Sequence, residues 1–115
     1  MGYFIHTDNS EFFRKQMKTY LSELGHETGS FGRGEDAIQA VKAREVSCIV
    51  TGLELADMDG EEFIKQLLAY NNDLPIITVT ANEDERRNKR LDDLGVRAIV
   101  KKSGDWKNAL NEILN

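Results

Sequence analysis

The sequence predicts an α/β fold, a doubly wound parallel sheet of five strands covered by helices on both faces. Three observations predict it. Short apolar runs alternate with amphipathic stretches along the whole 115-residue chain, the links between them are short, and glycines or capping residues punctuate the junctions. Parallel neighbours cannot be joined by a hairpin, so strict alternation puts a helical crossover after each strand, and right-handed crossovers cover both faces of the sheet.

Tyr3, Phe4 and Ile5 open the first strand, and Asp8-Asn9-Ser10 supplies caps for a helix carrying Phe13, Met17, Leu21 and Leu24 at helical spacing. Gly25 closes that helix, residues 27–31 form a weak strand, and Gly32 and Gly34 lead into a second helix with Ala37, Ile38 and Val41 on one face. A third strand runs from Val46 to Thr51. Asp59-Gly60-Glu61-Glu62 reads as a D-x-x-E capping box for a helix that presents Phe63, Ile64, Leu67 and Leu68. Pro75, the only proline, stands at the entrance of a fourth strand, Ile76 to Thr80, where a missing N–H is tolerated. Asn82 and Glu85 form a second capping pair for a helix from Glu83 to Leu94, which stops before Gly95. Ala98 to Lys101 makes the fifth strand, and Trp106, Ala109, Leu110 and Ile113 mark a last amphipathic helix.

Composition narrows the function classes. A chain of 115 residues with 40% hydrophobic and 30% charged residues is one domain, 1–115, with a core and a solvated surface, and neither disordered nor fibrous. The 15 basic and 20 acidic residues leave a net charge of −5, which argues against direct nucleic-acid binding. Cys48 is alone and sits in an apolar run, so no internal disulfide forms and a cytoplasmic setting is expected. The N-terminus lacks the basic start and apolar stretch of a signal peptide, no run is long enough to span a membrane, and His6 replaces the Ser or Thr of a myristoylation motif.

In a sheet of this kind, function gathers outside the carboxyl ends of the strands. That singles out Asp8 and Asn9 after the first strand, Gly52 to Asp59 after the third, Thr80 and Ala81 after the fourth, and Lys102 with Ser103 after the fifth. At these residues the chain resembles the receiver domains of two-component response regulators, the CheY-like family, and the likeness covers essentially its whole length. Receivers carry an acidic pair, matched here by Asp8 and Asn9, and an acceptor aspartate in a D-x-x-x-P-x-x-D-G pattern, matched by G-L-E-L-A-D-M-D-G from Gly52 to Gly60. They also carry Thr or Ser before Ala, matched by Thr80-Ala81, and a Lys after the fifth strand, matched by Lys102. The resemblance implies the (βα)5 flavodoxin-like fold with strand order 2-1-3-4-5. It implies a signalling module, not an enzyme, in which an aspartate takes a phosphoryl group from a histidine kinase, the acidic pair holds Mg²⁺, and the Thr and Lys bind the phosphoryl oxygens.

The acceptor's position is Gly52, which has no side chain and cannot form an acyl phosphate, so the chain resembles a pseudo-receiver, a phosphorelay domain acting through protein–protein contacts. Asn9 and Gly52 also remove two anionic oxygen sources from the metal position, leaving Asp8 and the backbone carbonyl of Glu54. Losing one carboxylate about 4 Å from a divalent ion forfeits roughly 8 kcal/mol gross at an effective dielectric near 20, so Mg²⁺ is expected to bind weakly or not at all and no other cofactor is implied. Ala56 and Ser103 replace the family's prolines, and Ile99 stands where receivers place a switching aromatic. Two other readings stay open: a competent receiver whose acceptor has been altered to Gly52, and a small-ligand module built on Asp8, Thr80 and Lys102.

Asp59 reads as a helix cap, Asp57 as a solvated loop residue and Glu54 as a backbone ligand, so none is taken as a substitute acceptor. His6 reads as a satisfied interior residue, and without an acceptor Lys102 neutralises Asp8. Arg86, Arg87, Lys89 and Arg90 form a basic cluster on the fourth helix, read either as a solvated face laced with pairs such as Glu85 to Lys89, or with Ile99 and Trp106 as an interaction face. Receivers use the fourth helix, fifth strand and fifth helix for homodimers or partner docking; a histidine kinase or an effector domain is the implied partner.

Overall fold

The computed structural model describes residues 2–81 and 83–115. Strands β1 (Tyr3–Thr7), β2 (Glu27–Phe31), β3 (Cys48–Thr51), β4 (Ile76–Thr80) and β5 (Ala98–Lys101) alternate with helices α1 (Glu11–Glu23), α2 (Gly34–Ala43), α3 (Gly60–Tyr70), α4 (Glu85–Leu94) and α5 (Trp106–Leu114). All strands pair in parallel, in the order β2-β1-β3-β4-β5, which is the expected 2-1-3-4-5 arrangement.

Side chains alternate across each strand, so the sheet feeds two core layers. Ile5, Ile49 and Ile76 pack with Ile38, Phe63 and Leu91 beneath α2, α3 and α4. Phe4, Val50 and Val79 pack with Phe13, Leu21 and Leu110 beneath α1 and α5. Cys48 belongs to the second layer, and burial pushes its thiol up to about 12. Thr7, Thr51 and Thr78 lie side by side in the β1–β3–β4 register, each fully buried. The Thr51 hydroxyl donates to the Gly52 carbonyl at 2.7 Å, whereas those of Thr7 and Thr78 have no partner among the described residues.

The helix ends refine the sequence reading. Gly25 and Gly95 follow α1 and α4 at φ +92° and +103°, the left-handed conformation that a side chain disfavours. Asp59 caps α3 by accepting from the Glu61 amide at 2.8 Å, but Glu62 turns to Gln66 (3.3 Å), so the motif is a simple N-cap, not a reciprocal box. The cap of α4 is Asp84, which accepts from the Arg87 amide at 3.1 Å; the helix therefore starts at Glu85, two residues later than expected, and Asn82 lies outside the described residues. Likewise β3 starts at Cys48 instead of Val46, because pairing with β1 begins at Phe4↔Cys48 and Val46 is apolar to pack against the α2–α3 layer.

Asp57 corrects the sequence reading outright. Its side chain is only 12% exposed and accepts from the amides of Gly34 (2.7 Å) and Glu35 (3.0 Å). The residue at the α2 N-cap position, Arg33, makes no side-chain capping bond, so a carboxylate from the β3–α3 loop caps α2 in its place. Burial opposes ionisation of Asp57, but the two amides and Arg33 outweigh it and hold the carboxyl below its ordinary range.

Candidate functional site

Asp8, Gly52, Ala81 and Lys102 are each the first residue beyond a strand, so the parallel register delivers them to one rim. The ladder continues to them: the Gly52 amide donates to the Thr7 carbonyl at 2.7 Å, and that of Lys102 to Thr80 at 2.8 Å. With Asn9, Leu53, Glu54, Val79 and Thr80 they line a cleft of about 60 Å³, small beside the roughly 300–1,000 Å³ of an ordinary organic-ligand pocket.

Asp8 is the centre of this cleft. Its carboxylate, 3% exposed, accepts from Lys102 Nζ through Oδ2 at 2.8 Å and from the Ser10 amide through Oδ1 at 2.8 Å. Its carbonyl accepts from Arg14 Nη1 at 2.7 Å, and Ser10 in turn caps α1 by accepting from the Phe13 amide at 3.2 Å. Lys102 rests its ammonium 4.1 Å from the centre of the Phe13 ring. Burying a carboxylate this far is costly without such partners.

Gly52 lies fully within van der Waals reach of that carboxylate. A Cβ built on Gly52 would stand 2.8 Å from Asp8 Oδ2 and 3.3 Å from Asp8 Cγ, so the Asp8 carboxylate occupies the space a side chain at 52 would enter. The loop behind it is equally tight. A Cβ on Gly60 would meet the Leu53 backbone at 2.5 Å and the Gly52 carbonyl at 2.9 Å, so Gly60 lets the start of α3 press against the Gly52–Glu54 turn. The Glu54 side chain is exposed, and a bridge to Asp59 fixes its backbone.

The structure brings the predicted residues together on the rim but redistributes the rest. Thr80 accepts from Arg87 Nη2 at 3.4 Å, so its hydroxyl is engaged from the α4 side. Arg90 forks onto Glu61 of α3, with 2.7 Å for its closest contact, and that guanidinium holds the Glu61 carboxyl below its usual range. Lys89 pairs with Asp93 at 3.8 Å, not with Glu85, because the helix supplies an acid on that side too. Of the basic cluster, then, two members fasten α4 to the body of the domain. Ile99 packs into the layer under α2 to α4, and Trp106, partly buried, packs edge-on against Phe13 (5.0 Å) and Tyr20 (5.7 Å); neither projects as an anchor.

His6 is interior, as expected, but not satisfied: it is fully buried and neither ring nitrogen has a hydrogen-bond partner among the described residues. Burial, opposed by Asp8 and reinforced by Lys102 and Arg14, lowers its pKa to about 4, so the ring is neutral at physiological pH. Among the described residues no three His, Cys, Asp or Glu side chains cluster to hold a metal. The Asp8 carboxylate on the rim already faces the Lys102 ammonium.

The comparisons with known proteins agree with this architecture. The family model for the response regulator receiver domain matches residues 5–114. The transcriptional regulatory protein GltR of Pseudomonas aeruginosa is 32% identical over 80 residues, covering 68% of this chain and 33% of its own length. The regulatory protein LuxO of Vibrio vulnificus is 37% identical over 65 residues, 56% of this chain and 14% of its own; the chain thus spans a third or less of these curated relatives. Among solved structures, the non-phosphorylated HemR receiver domain from Leptospira biflexa superposes with a TM-score of 0.91 at 17% identity, covering 100% of this chain and 95% of that one. The chemotaxis protein CheY4 of Vibrio cholerae gives 0.90 at 18% identity, covering 99% and 97%. With its rim of Asp8, Thr80 and Lys102 in place and its fold matched end to end, the chain belongs to the response regulator receiver family.

Proposed function

We propose that this receiver is not phosphorylated at the usual position and signals by protein–protein contact, with a histidine kinase or an effector domain of a two-component pathway as its partner. The observation that carries the reading is Gly52 itself, where the carboxylate of Asp8, bonded to Lys102, stands 2.8 Å from the place a Cβ would occupy. An internal ion pair there takes the role that a metal ion and an acceptor share in an active receiver: it balances the charge of the rim. Mg²⁺ would have to displace Lys102 from Asp8, and neither Asn9 nor Gly52 offers it a second carboxylate, so it is not expected to bind at physiological concentration.

The test is intact-mass spectrometry after incubation with acetyl phosphate and Mg²⁺. No added phosphoryl mass is expected, and a phosphorylated Asp or Glu overturns the reading. Gly52→Asp addresses the possibility of an altered but otherwise competent site. Because the new side chain meets the Asp8 carboxylate, Gly52→Asp is expected to remain unlabelled unless Asp8 swings off Lys102; prompt labelling would mean that the site lacks only its acceptor.

A further inference from the structure

Resting on the reading that no acceptor stands at position 52, we infer that the rim is coupled to the seam between α1 and α5 through the Lys102 ammonium and a line of edge-on aromatic rings. Lys102 Nζ is held by Asp8 at 2.8 Å on one side and lies 4.1 Å from the centre of Phe13 on the other. Phe13 meets Trp106 edge-on at 5.0 Å, Trp106 meets Tyr20 at 5.7 Å, and the Tyr20 hydroxyl donates to the Lys107 carbonyl at 2.7 Å. The contacts begin at the end of β5, cross α1, and finish as the bond that ties α1 to α5.

Each contact in this line is directional. An ammonium over a ring face is attracted by the ring's quadrupole, and edge-on rings hold one another at fixed angles, so moving the ammonium changes what Phe13 offers to Trp106. Lys102 is 24% exposed and borders the cleft, so an anion entering there competes with Asp8 and Phe13 for the same cation. The opposite side has less freedom. Arg90 on Glu61 and Arg87 on Thr80 hold α4, and Ile99, partly buried, packs against the core. A change at the rim is therefore read at the α1–α5 seam, and a partner that reorders the seam resets Lys102 in turn, because coupling between two sites is reciprocal.

Trp106 is the only tryptophan, so the ¹⁵N-labelled protein gives one indole N–H resonance as the readout. Lys102→Met is expected to move that resonance by several linewidths, while Lys101→Met, which removes a neighbouring charge paired with Glu83, leaves it in place. In a Phe13→Leu background the effect of Lys102→Met is expected to vanish. Because Phe13 is a core residue, pentafluorophenylalanine at position 13 provides the same test with the ring shape kept and its quadrupole reversed. An indole signal that ignores Lys102→Met, or moves equally in both Phe13 backgrounds, overturns the coupling. Acetyl-phosphate labelling of the same samples keeps the two readings separate: an added phosphoryl group ends the acceptor-free reading, whereas a stationary indole ends only the coupling.

Discussion

At Asp8, a carboxylate almost sealed from water is met from two directions by an amide and an ammonium. Gly52→Ala forces a methyl group to within 2.8 Å of that carboxylate, and either the ion pair opens or the β3–α3 turn shifts. The expected cost is about 1–3 kcal/mol, read as a lower urea midpoint at unchanged slope. His6 presents the opposite case, a buried ring whose nitrogens have no hydrogen-bond partner among the described residues and a pKa lowered from 6.5 to about 4. Between those two values the unfolded chain binds a proton that the folded chain refuses, so stability present above pH 6.5 is lost as pH falls toward 4. The loss attributable to this ring is about 3 kcal/mol, and in His6→Leu the stability curve should be flatter by that amount across this window. The sequence places His6 on an inward strand position but carries no sign that its nitrogens would go unpaired; that depends on which neighbours reach it across the layer.

The helices show where local signals suffice and where they fail. Amphipathic spacing located all five helices, and Asp59, Gly25 and Gly95 marked termini correctly, because each acts on its own helix. The cap of α2 was not legible, since its carboxylate comes from residue 57, outside the helix and across the rim; the only hint was a helix start, Gly32-Arg33-Gly34, without a capping side chain. Asp57→Ala should cost about 1 kcal/mol and speed amide exchange first at Gly34 and Glu35, which a loop residue exposed to water would not do. On α4 the sequence showed a basic cluster but not its partners, Glu61 and Thr80 being far along the chain or on another element. Glu61→Gln keeps the size of the side chain and removes the charge, and hydrogen exchange of α4 amides should rise while α1 amides are unchanged.

For the whole molecule, the alternation of strands and helices together with the four rim positions made the fold and the place of the site readable, because parallel topology leaves little choice over where strand ends go. What could not be read was how little room the rim leaves beside Gly52, which required the distance from Gly52 to Asp8. Both core layers share the same strands, so they are expected to unfold together: Trp106 emission, which reports the α1–α5 layer, and far-UV circular dichroism should give one coincident urea transition. Separate midpoints would mean that the two layers come apart independently. Cys48 gives that transition a clock. Its thiol is buried beneath α1 and α5 in the unreactive protonated form, so a disulfide reagent is consumed when that layer opens. The rate at which colour develops in native buffer then reports the opening of this layer, with no denaturant and no added label.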